Sequence, residues 1–163
     1  MKRVYRTIAM AALSAITFNT SAQAACWSAP EVSAAQVRDL ETMLMVSALR
    51  CRLSGTNFLT DYNKLINQSR PALTAANDQL RAHFVTVAGA RGGLDAYDRY
   101  VTAIANRYGA GAEGLSCGDM ASILSAANAE RGSAEGLARL ARDAGVEPVI
   151  EGGRCADTIA SRK

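Results

Sequence analysis

FLTDYNKLINQSRPALTAANDQLRAHFVTV, residues 58–87, carries one apolar stripe from end to end. Phe58, Tyr62, Leu65, Ile66, Ser69, Leu73, Ala76, Leu80, Phe84 and Val87 keep the spacing of one face of an α-helix. Pro71 falls inside the run. A proline within a helix removes a backbone hydrogen bond and presses its ring on the preceding turn, at a cost of about 3 kcal/mol. Two architectures follow: one long helix kinked at Pro71, or two helices broken there. The stripe stays in phase across the proline, which favours the kink. That choice sets the direction of every later helix.

Helical periods continue on both sides. Upstream, Ser33 reads as an N-cap, and Val37, Leu40, Leu44, Ala48 and Cys51 form the core face, widened by Met43, Met45, Val46 and Leu49. Gly55 reads as the stop. Arg50 and Arg52 in the last turn complement the helix dipole. Downstream, ARGGLD (90–95) reads as a turn, and Leu94, Tyr97, Val101, Ile104 and Tyr108 as the next helix. Ser116 and Asp119 have capping-box spacing before a helix through Met120, Ile123, Leu124 and Ala127. Gly132-Ser133 interrupts that helix, and Leu137, Leu140, Ala141 and Ala144 resume it up to Gly145. The tail reads as irregular. With no alternating strand pattern, the fold class is all-α: one compact bundle of about four helices.

The amino terminus reads as an export signal. Lys2, Arg3 and Arg6 precede an uncharged apolar stretch from Ile8 to Phe18, and Ala22-Gln23-Ala24 offers small residues at a cleavage site. The stretch is shorter than the roughly 20 residues of a membrane-spanning helix. Residues 1–24 are therefore expected to be removed, leaving 25–163 as a single helical domain in the periplasm or outside the cell. The signal holds three of the 18 basic residues and no acid, so cleavage brings them level with the 15 acidic ones. A balanced charge argues against binding nucleic acid or an anionic membrane by bulk attraction.

All four cysteines, Cys26, Cys51, Cys117 and Cys155, lie beyond the cleavage site. An even set in an exported chain reads as two disulfides. Cys51, between two arginines, has neighbours that would favour a reactive thiolate, but those cations are explained by the helix end. If the helix through Pro71 is continuous, four helices alternate in direction. Cys51 then meets Cys117 at one end, and Cys26 meets Cys155 at the other. A break at Pro71 would instead bring Cys117 toward Cys26.

Candidate chemistry is sparse. Gly109 to Gly114 matches the dinucleotide fingerprint, but it follows a helical period and not a strand, so it reads as a loop. His83 is the one histidine, beside Phe84 at the edge of the stripe, and reads as packing or surface. No nucleophile motif or metal-ligand cluster accompanies it, and no cofactor is implied. Tyr97, Tyr100, Tyr108 and Arg107, with Asp98, are the residues best placed to line a ligand groove on one helix.

Cys26-Trp27, LMVSALRC (44–51), DYNKLI (61–66), YDRYVTAIANRYG (97–109), Cys117 and Cys155 together resemble a group of small exported bacterial proteins with four cysteines. Some of that group carry the label adenosylhomocysteine hydrolase, a much larger two-domain NAD-dependent enzyme. Apart from the glycines at 109–114, nothing here matches that enzyme. The resemblance implies an exported helical protein and transfers no catalytic residue.

The expected role is a disulfide-stapled, non-catalytic binding or accessory module acting on an envelope protein or a small ligand. The rival expectations are an envelope hydrolase with a site assembled from scattered residues, and an inhibitor or immunity-type protein. A concave pocket with converging polar groups would favour the enzyme, and an exposed apolar patch a protein partner.

Overall fold

A computed structural model describes residues 26–156. The export signal expected at residues 1–24 lies outside the described residues. Four helices follow in order: α1 (Ala29–Cys51), α2 (Leu59–Arg107), α3 (Cys117–Ala129) and α4 (Ala134–Asp143). The described residues form no strand beyond one isolated parallel bridge, between Trp27 and Arg154.

α1 is the central helix and packs against the other three. Val37, Leu40, Leu44, Ala48 and Cys51 are buried as the periodicity implies, joined by Met43, whereas Leu49 is exposed. The helix starts earlier than Ser33. Ser28 is the N-cap, with Pro30 in the first turn. Glu31 accepts from the Ser28 amide and hydroxyl, each at 2.6 Å. A capping side chain that binds its partner three residues on, followed by a proline whose missing N–H is not needed there, is the stronger start signal. The end is earlier too. Ser54 donates from both its amide and its hydroxyl to the Cys51 carbonyl, so the chain leaves the helix before Gly55.

α2 stays helical through Pro71. Pro71 and Asn67, four residues before it, are both exposed, so the carbonyl left without a donor belongs to the solvent side of the helix. The irregularity of α2 lies elsewhere, at Gly89, with φ 74° and ψ 169°. That conformation is essentially reserved for glycine. It turns the chain back on itself, so residues 59–88 and 90–107 form a helical hairpin. The turn expected over residues 90–95 is thus a single-residue reversal, and Ala90 to Asp95 are already helical. The arms meet closely at Gly93, where a Cβ would lie 2.5 Å from the Val85 Cα.

The two arms of α2 restore the alternation of direction. Cys51 pairs with Cys117, and Cys26 with Cys155, the latter with Cα atoms 4.9 Å apart. The first bond clamps the end of α1 to the start of α3. The second joins the two ends of the described chain. α3 opens on the Ser116–Asp119 capping box. α4 is capped by Ser133, whose hydroxyl accepts from the Gly136 amide at 3.1 Å, as the interruption at 132–133 implies.

Candidate functional site

A deep groove follows from how the two ends of the described residues are tied. Beside the Cys26–Cys155 bond, the Trp27 amide donates to the Gly153 carbonyl and the Cys155 amide to the Trp27 carbonyl, both at 2.9 Å. The Trp27 indole N–H donates to the Glu151 carbonyl at 3.0 Å. The tail is thereby fixed across the hairpin of α2. Between them runs a groove of about 500 Å³.

Three segments build the groove. Trp27, His83, Phe84 and Val87 form its floor. One wall is a single face of α2: Ala96, Arg99, Tyr100, Ala103, Ile104 and Arg107, with the two alanines leaving width. The other wall is the tail at Val149, Glu151 and Gly152. The aromatic rings form one cluster. Trp27 and His83 have ring centroids 4.0 Å apart, and Phe84 meets Trp27 edge-on at 5.7 Å. Tyr100 lies 5.2 Å from Phe84 and 5.8 Å from Trp27. The edge-on Trp27–Phe84 pair attracts beyond the area it buries, and the other pairs are tilted.

His83 and Arg107, behind the groove, are each held by an acid on α1. His83 is 6% exposed, and its Nδ1 lies 3.1 Å from Glu31 Oε1. Burial raises the Glu31 carboxyl, but the bonds from Ser28 together with His83 outweigh it and hold the group below its ordinary pKa. Arg107 reaches through the wall. Its Nη2 is 3.1 Å from Asp39 Oδ2, and its Nη1 donates to the Glu147 carbonyl at 3.1 Å. Asp39, on α1, is fully buried and accepts from the Tyr108 hydroxyl at 2.6 Å. Burial pushes the Asp39 carboxyl above the usual range, against the opposing pull of Tyr108 and Arg107. Burial and the Asp39 carboxylate likewise raise the phenols of Tyr100 and Tyr108. The Tyr100 hydroxyl is buried with no hydrogen-bond partner among the described residues.

The groove residues anticipated on the 97–108 helix are therefore divided. Tyr100 and Arg107 line this groove. Tyr108 is buried and faces a second hollow of about 390 Å³ that also touches Arg107, Met43 and Val146. Tyr97 is buried inside the hairpin, where its hydroxyl donates to Asn77 at 3.0 Å under the Arg81 guanidinium. Asp98 is exposed and lines neither. Sequence reasoning missed Trp27, Phe84, the tail and Asp39. The expected Cys26–Cys155 bond already implied that Trp27 meets the tail, and an acid within the α1 stripe was a sign of a buried partner.

The glycines at 109–114 link α2 to α3 and are met by Arg50, which donates to the Gly109 carbonyl. They follow a helix, so the strand-fed geometry of a dinucleotide site is missing. All four cysteines are in disulfides, so no thiol nucleophile is present. Among the described residues no group of three or more His, Cys, Asp or Glu converges, and no helix is long and apolar enough to cross a membrane. No protein-family model, curated protein or solved structure matches this chain.

Proposed function

We propose that the protein is an exported, non-catalytic binding module whose ligand site is the groove between the α2 hairpin and the tail. One observation carries this reading: a concavity of about 500 Å³ floored by Trp27, His83 and Phe84 and walled by Tyr100. That volume and lining suit a small organic molecule with a flat apolar portion. The two disulfides and the residue 1–24 pattern support export to an oxidising compartment.

Trp27 is the one tryptophan of the chain, so its emission reports on the groove without labelling. A panel of small aromatic and aliphatic compounds should produce saturable changes for a subset. Absence of any saturable change across the panel overturns the reading. Intact mass of the exported protein tests the other half: the expected species begins at Ala25, and a retained Met1 refutes cleavage.

A hydrolase is the second reading, favoured by one contact. Glu31 on Nδ1 of a groove-lining His83 is the arrangement that orients a histidine general base. Against it, the described residues that line the groove include no serine or cysteine. On the non-catalytic reading, His83→Ala should leave any measured hydrolytic turnover largely intact. A loss of several orders of magnitude in a folded variant would establish the enzyme.

A further inference from the structure

The charges lining the groove are not equivalent. Arg107 is compensated by the buried Asp39 carboxylate and by the Glu147 carbonyl. His83 is held on Glu31. Two side chains are left over. Arg99, exposed on α2, and Glu151, exposed on the tail, line the same groove. Neither side chain has an ion pair or hydrogen bond among the described residues, and the two are not paired with each other. The groove they line is also lined by the half-buried rings of Phe84 and Tyr100, packed against the almost fully buried Trp27 and His83.

A single unpaired cation and a single unpaired anion beside an aromatic cluster complement a ligand that is itself zwitterionic and carries a ring. A simple anion would meet Glu151, and a simple cation would meet Arg99. A neutral hydrocarbon would leave both charges unused. Resting on the reading of the groove as the ligand site, we propose that it binds a free aromatic amino acid. The ring lies against Phe84 and Tyr100, the carboxylate turns to Arg99 and the ammonium to Glu151. Guanidinium–carboxylate pairing favours the bidentate geometry, and ring-on-ring contact supplies the apolar share.

The experiment titrates L-phenylalanine, phenethylamine (no carboxylate), 3-phenylpropionate (no ammonium) and glycine (no ring) into the oxidised protein. Trp27 emission is excited at the red edge, where phenylalanine does not absorb. L-Phenylalanine should bind tightest and glycine not at all. Each one-charge analogue should be weaker by about five-fold, the most that an exposed charge contact ordinarily supplies. Arg99→Gln should abolish the preference over phenethylamine alone, and Glu151→Gln the preference over 3-phenylpropionate alone. Both positions are exposed, and unchanged thermal melts would establish that the variants fold. Equal binding of all three ring compounds, unaffected by either substitution, overturns the zwitterion proposal while leaving an apolar groove. Binding of none of them overturns the proposal, and the wider compound panel then decides whether the groove reading falls with it.

Discussion

The Tyr108 hydroxyl donates to Asp39 at 2.6 Å in the buried centre of the molecule. This bond links α1 to the end of the α2 hairpin and leaves Arg107, on the adjacent residue, to meet the other carboxylate oxygen. A carboxylate there is tolerated because the Tyr108 hydroxyl donates to it and the Arg107 guanidinium pairs with it, yet burial still raises its pKa. Tyr108→Phe keeps the ring and removes the donor from a buried acceptor. It should cost about 1–3 kcal/mol in urea denaturation.

Asp39 and Glu31 should bend the pH–stability curve in opposite directions. The folded Asp39 binds its proton more tightly than the unfolded chain. Its contribution is therefore complete below about pH 3.8 and is lost as pH rises through the raised folded value. Glu31 is held below its ordinary 4.5, so its contribution is complete above that pH and is lost as pH falls through the lowered folded value. Glu31→Gln should flatten the acid limb of the curve. Asp39→Asn should remove a decline on the rising side. Melting temperatures across the carboxylate range check both, and identical curves for the two variants would refute the assignment.

The hairpin rests on two glycines with different reasons. At Gly89 a Cβ meets nothing within 4 Å, but φ is +74°. Gly89→Ala should therefore cost conformational strain alone, about 1–3 kcal/mol. At Gly93 the backbone is helical, but a Cβ would lie 2.5 Å from the Val85 Cα and 2.8 Å from the Phe84 carbonyl oxygen. Gly93→Ala must push the arms apart, at a similar cost of about 1–3 kcal/mol. Phe84 is part of the groove floor, so only Gly93→Ala should alter Trp27 emission in the folded state. Denaturant midpoints with fluorescence separate the two.

Much of this fold is legible in the sequence because α-helical periodicity survives interruptions. The stripe through Pro71 stays in phase, and a helix tolerates the proline where the orphaned carbonyl is on its solvent side. From that continuity the direction of each later helix follows, and with it the cysteine pairing. Helix boundaries are less legible. Ser28 and Ser33 are both acceptable caps by residue type. What decides between them is the reach of Glu31 back to Ser28. The site is the least legible part. Tyr97, Tyr100 and Tyr108 share a helical period, yet they enter three different environments. Which neighbour each one meets depends on the reversal at Gly89 and on where the tail is strapped, and neither leaves a periodic trace.

The two disulfides should be separable by function. In the chain-entropy picture, bonds closing separations of 129 and 66 residues each stabilise by about 4–5 kcal/mol. Cys51–Cys117 joins α1 to α3 away from the groove, whose lining includes no residue of α3. Cys26–Cys155 sits next to Trp27, where the tail wall is fixed by the Trp27–Gly153, Trp27–Glu151 and Cys155–Trp27 hydrogen bonds. Replacing Cys51 and Cys117 by serine should lower the melting temperature and leave Trp27 emission and groove binding unchanged below the transition. Replacing Cys26 and Cys155 frees the wall as well. Trp27, 2% exposed in the intact protein, should then shift its emission to the red, and groove ligands should bind more weakly even where the protein stays folded. Equal loss of binding in both double variants would mean that the groove depends on global stability and not on the strapped tail.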